Sequence, residues 1–144
     1  MTFTPRREPS GEGDDQETLA APSATARLVL ADSADEVAWV RTCLRSLLAA
    51  SCEAVVVDAL LAVDILVTDA FEFGQAPRVV HLQITGHGTC LRIEVDSADK
   101  SATTSQWHRT TGISRLMLEN LTLNWGVHRG NERKTTWAEL NLAT

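Results

Sequence analysis

Asp69 is the residue in this chain best placed to do chemistry. It lies in the stretch Val63 to Gly74, VDILVTDAFEFG, with Asp64 five positions before it and Phe71, Phe73 and Gly74 after it. A carboxylate beside apolar neighbours is costly unless it binds something or points to water. Its oxygens suit a hard cation such as Mg2+, so the chemistry on offer is metal ligation at the end of a helix. The other metal-binding residue types offer no second site. His81, His87, His108 and His128 share no ligand spacing with one another or with a cysteine. Cys43, Cys52 and Cys90 are scattered, and their odd number leaves one unpaired in any disulfide scheme, which fits a reducing, cytoplasmic setting.

Asp69 needs a helix to hold it. Val56, Leu60, Val63, Val67 and Ala70 recur at alternating steps of four and three, the period of a helix buried along one stripe, which predicts a central helix over roughly Glu53 to Phe71. Before it, Ala26 to Leu30 reads as a short strand. Ser33 and Glu36 then have the spacing of a capping box that opens a helix from Asp35 to about Ala50. The apolar face of that helix is Val37, Val40, Leu44, Leu47 and Leu48, with Arg41 and Arg45 solvated.

From Arg78 the period changes to two. Val80, Leu82 and Ile84, then Leu91, Ile93 and Val95, alternate about the turn residues Thr85-Gly86-His87-Gly88, the pattern of a hairpin. Asp96 to Thr111 has no period and reads as a long loop carrying Trp107, an exposed aromatic of the kind a partner covers. A helix from Gly112 or Ser114 to about Asn124 follows. Trp125 to Arg129 and Lys134 to Leu142 close the chain as two strands joined by Gly130-Asn131-Glu132-Arg133. Strand, helix, helix, hairpin, loop, helix, hairpin predicts an α+β fold. Its form is a two-layer α/β sandwich with a mixed or antiparallel sheet and helices on one face.

At 144 residues the chain is sized for one domain. Residues 1–25, rich in Pro, Gly, Ser and Glu, read as a disordered tail, and 26–144 as the domain. A net charge of -6 with no basic stripe argues against nucleic acid as a partner. No apolar run reaches the roughly 18 residues of a membrane span, and the N-terminus has no apolar signal core.

The chain resembles the histidine-kinase-like ATPases of the Bergerat fold (GHKL), in the branch of bacterial anti-sigma factor serine kinases, over roughly Ala26 to Leu142. The resemblance is carried by LVTDA followed by Phe73-Gly74, by the LRIEV strand, by Gly112 opening a helix, and by Trp125-Gly126-Val127 with Lys134-Thr135-Thr136-Trp137-Ala138-Glu139-Leu140. In the family, a general-base Glu and a Mg-binding Asn stand four residues apart on one helix face. Matched on LVTDA, this chain has Ile65 at the base position and Asp69 at the metal position. Asp64 is one residue off, turned by about 100° around the helix.

The adenine-contacting Asp of the family aligns with Ser97, and Asp96 stands one position early, where only a bulge would restore its face. Gly112 survives from a family glycine pair that lets phosphates approach a helix N-terminus. Beside it Ser114 offers a hydroxyl and Arg115 a phosphate-pairing guanidinium. Thr135 matches the family threonine that reaches the adenine.

The resemblance implies ATP and Mg2+ as cofactors, here weakly bound or lost. It implies a sigma factor or an anti-sigma factor antagonist as protein partner, and a homodimer through the first helix and sheet edge. With Ile65 in place of the base, the leading expectation is a regulator in transcriptional or stress control that acts by protein binding. The alternatives are an active ATP-dependent serine kinase using Asp64 or Asp69 as base, and a nucleotide sensor that binds ATP or ADP without turnover.

Overall fold

The structure, a computed structural model, describes residues 2–3, 24–31, 35–98 and 112–143. Among the described residues six strands, β1 (Thr2–Phe3), β2 (Ala24–Leu30), β3 (Gln75–Thr85), β4 (Cys90–Ala98), β5 (Asn124–Gly130) and β6 (Arg133–Asn141), form one sheet in the order β1-β2-β3-β4-β6-β5. Every neighbouring pair is antiparallel. The helices of the described residues, α1 (Asp35–Leu47), α2 (Glu53–Phe73) and α3 (Gly112–Leu121), supply the second layer. This is the two-layer α/β sandwich expected from the order of elements, with an antiparallel sheet.

The core lies between the layers. Leu28, Val80, Leu82, Leu91, Ile93, Val95, Ala138 and Leu140 come from one sheet face and meet Val40 and Leu44 of α1, Leu66 and Val67 of α2 and Leu118 of α3. Helix α2 is the centre of the helical layer. Besides the expected stripe of Val56, Leu60, Val63, Val67 and Ala70, it buries Val55, Ala59, Ala62 and Leu66, because the sheet lies beneath it and the other two helices contact its flanks. Alternation along β4 and β6 puts Leu91, Ile93, Val95 and Ser97, and Lys134, Thr136, Ala138 and Leu140, on the helix side. Arg92, Glu94, Asp96, Thr135, Trp137 and Glu139 project from the other side.

Several boundaries differ from the sequence expectations. Helix α1 stops at Leu47, and a turn carries the chain to α2. Strand β4 runs on to Ala98, since pairing with β6 supplies backbone partners for Asp96 to Ala98 where the sequence pattern has lost its period. The rest of the expected loop, residues 99–111 with Trp107 and His108, lies outside the described residues, as do Ser33 of the expected capping box and residues 4–23 of the expected tail. Helix α3 ends at Leu121 rather than Asn124. The last hairpin turns on Asn131 and Glu132 alone, with Gly130 paired to Arg133 and the positive φ on Glu132.

Candidate functional site

Asp69 lies in the last full turn of α2 and is buried, not solvated. Its Oδ2 is 3.1 Å from Nζ of Lys134 on β6, and the two side chains are 5% and 3% exposed. Lys134 reaches it because the β6 register places residue 134 on the helix side of the sheet, directly across from Ser97 of β4. Nζ also lies 6.0 Å from the centroid of the Phe73 ring. Apart from this ammonium, neither carboxylate oxygen of Asp69 has a hydrogen-bond partner among the described residues. Burial pushes the Asp69 carboxyl above its ordinary pKa. Lys134 opposes that by its charge and hydrogen bond, Glu72 adds to the rise, and Arg129 opposes it more weakly.

The end of α2 is shaped by two further residues. At Gly74 a Cβ would collide with Oγ of Ser97 and lie 2.9 Å from the carbonyl oxygen of Ala70, so the chain turns from α2 into β3 only with hydrogen at that position. Gly74 donates its N–H to the Ala70 carbonyl at 3.0 Å. Arg78 then closes the helix end: its Nε donates to the same carbonyl at 2.9 Å and its Nη2 to that of Gly74 at 3.1 Å, with the guanidinium 4.5 Å from the Phe71 ring. A cation at a helix C-terminus meets the negative end of the dipole, and here it adds a second donor to the Ala70 carbonyl and one to the carbonyl of the cap residue Gly74. A register shift in β3 between Gln75 and Val79, where Pro77 cannot donate to a ladder, carries Arg78 to this place.

The family-derived positions separate on this scaffold. Ile65 shares a helix face with Asp69 one turn away and packs, partly buried, against the core, so an apolar side chain fills the base position. Asp64 points elsewhere: its Oδ1 is 3.6 Å from Nε of Arg41 on α1. Burial raises its pKa, and Arg41 partly offsets the rise.

Asp96 keeps the face its register dictates, because pairing of β4 with β6 runs without a shift from Cys90 to Ala98. On the side away from α2 it accepts a hydrogen bond from Oγ1 of Thr135 at 3.1 Å and meets Nη2 of Arg133 at 3.0 Å. Asp96 and Thr135 are therefore brought to each other but not to Asp69. Ser97 and Thr136, their neighbours in sequence, lie on the helix side, and Ser97 Oγ is buried without a hydrogen-bond partner among the described residues. Gly112 opens α3 as expected, Ser114 is half-buried in its first turn, and exposed Arg115 holds its guanidinium 5.7 Å from the ring of Trp125 on β5.

The buried cluster thus consists of Asp69, Lys134, Ser97 and Arg78 about Gly74, and only Asp69 was singled out by residue type alone. Lys134 and Arg78 read as ordinary strand residues in the sequence. Besides its place in the motif that carries the family resemblance, the signal that pointed to Lys134 was its even-numbered place in the period of β6, shared with Thr136, Ala138 and Leu140. A nucleotide-bound Mg2+ does not fit these residues as they stand, since the ammonium of Lys134 holds the only carboxylate of the cluster. Among the described residues no group of three His, Cys, Asp or Glu side chains could hold a metal ion. No described helix is long and apolar enough to cross a membrane.

No family model matches the chain, and no curated protein matches it. Among solved structures, the chain is similar to the crystal structure of the RsbU and RsbW domains of Rv1364c from Mycobacterium tuberculosis. The two share 23% sequence identity and a TM-score of 0.65 over 84% of this chain and 33% of that one. This chain thus spans about a third of that protein, and the likeness is one of fold.

Proposed function

We propose that this chain is an anti-sigma-factor-type regulatory protein that acts by binding another protein, a sigma factor or an anti-sigma factor antagonist, and that its nucleotide site is degenerate. The observation that carries this reading is Ile65. A methyl-tipped side chain packed against the core accepts no proton, and the nearest carboxylates are committed, Asp64 toward Arg41 and Asp69 to Lys134. The likeness in fold to a structure that contains an RsbW domain supports this reading. Exposed Trp39 on α1 and exposed Val57 and Leu61 on α2 supply apolar surface of the kind a protein partner covers, and α1 with the β1–β2 sheet edge is the surface for a homodimer.

The experiment is a transfer assay with γ-labelled ATP, Mg2+ and candidate antagonist proteins, run beside calorimetric titration of the same antagonists and of sigma factors. Binding without phosphoryl transfer is expected. Transfer that disappears in Asp69→Ala would establish the kinase reading instead. A second reading, nucleotide sensing without turnover, is favoured by Ser97, whose buried hydroxyl has no partner among the described residues and stands at the strand position matched to the family's adenine contact. A rise in melting temperature with millimolar ATP or ADP, lost in Ser97→Ala, would support it.

A further inference from the structure

Two opposite charges sealed at a helix–sheet junction need a reason, because each alone is costly to bury. Asp69 projects from α2 into the sheet-facing layer, and Lys134 rises from β6 to meet it at 3.1 Å. Phe73 lies over the ammonium, Ser97 stands across from Lys134 on β4, and Arg129 is its register partner on β5. The charged groups that act on the Asp69 carboxylate are Lys134 and Arg129 from the sheet and Glu72 from α2 itself. A divalent metal on Asp69 would sit about 2 Å from a carboxylate oxygen. That brings it close to an ammonium that has almost no exposed path by which to withdraw, and like charges at such separations repel strongly where water is excluded.

We propose that Lys134 is a built-in cation: its ammonium takes the place on Asp69 that a divalent metal would occupy, and so closes the α2–β6 junction independently of metal. The site is then permanently filled from within. This deepens the reading of a degenerate site and rests on it for the site's identity. It makes no use of the partner, so it can fail or stand separately from the sigma-factor assignment.

The test uses Mn2+ as probe, without nucleotide or partner, on the full-length chain labelled with 15N. In the native protein, millimolar Mn2+ is expected to leave the amide signals of Ala70, Gly74 and Ser97 no broader than those of the rest of the chain. In Lys134→Gln the charge is gone and Asp69 is free, so the same signals broaden selectively, and the broadening vanishes again in Lys134→Gln combined with Asp69→Asn. Selective broadening of these amides in the native protein overturns the proposal, as does a folded Lys134→Gln that shows none. If Lys134→Gln does not fold, the native protein decides through the side-chain ammonium signal of Lys134. A slowly exchanging signal that Mn2+ leaves unchanged upholds the proposal, and one that Mn2+ broadens, or that exchanges like a solvated lysine, rejects it. Loss of phosphoryl transfer or of partner binding would change none of these readouts.

Discussion

At the residue scale, the Asp69–Lys134 pair governs behaviour because both charges are almost wholly removed from water. Replacing Asp69 by Asn takes the opposite charge away from a buried ammonium, and urea denaturation should show a loss of about 3–5 kcal/mol. Replacing both partners, Asp69→Leu with Lys134→Met, removes the charges together and should recover most of that loss, since packed apolar groups replace buried pairs at little or no cost. Acid titration offers a second measurement. The folded pKa of Asp69 is raised above its unfolded value of about 3.9. The folded state therefore binds the proton more tightly, and the contribution of this group is fullest below that pH and is lost as pH rises through the folded value. The stability of the native protein relative to Asp69→Asn should accordingly fall as pH climbs from about 4.

At the scale of elements, the junction from α2 to β3 depends on a close approach between Gly74 and Ser97. A Cβ at Gly74 meets Ser97 and the Ala70 carbonyl together, so Gly74→Ala should cost about 1–3 kcal/mol by overpacking. Pairing it with Ser97→Gly should restore part of the loss, because one of the two collisions disappears; thermal unfolding of the three variants measures this. Arg78 fastens the same junction from the sheet side. Arg78→Met keeps most of the apolar stem but leaves the Ala70 and Gly74 carbonyls with one donor fewer each, and a loss of about 1.5–3 kcal/mol per charge-assisted bond sets the scale. The helix itself was legible in the sequence because its apolar stripe, Val56 to Ala70, keeps one period for about four turns. Its surroundings were not, because the burial of Val55, Ala59 and Ala62 follows from contacts with α1, α3 and the sheet.

At the scale of the whole molecule, one core joins every long element, so a cavity anywhere in it should lower a single cooperative unfolding transition. Leu82→Ala on the central strand β3 and Leu66→Ala on α2 should each cost about 2–5 kcal/mol, with transitions by fluorescence and far-ultraviolet circular dichroism still coincident. By itself the sequence determined the two-layer architecture, the order of elements and the apolar residue at the base position, because hydrophobic period and residue type are local properties that survive without neighbours. It also determined that Asp96 lies off the face of Ser97, since a strand alternates whatever it packs against. Only the tertiary structure decided what holds Asp69. The register of β6 against β4 brings Lys134 from sixty-five positions away to a helix end where the sequence offered just a solvated acid or a metal ligand. No local pattern encodes that meeting, because the energy that favours it exists only once both charges have been removed from water.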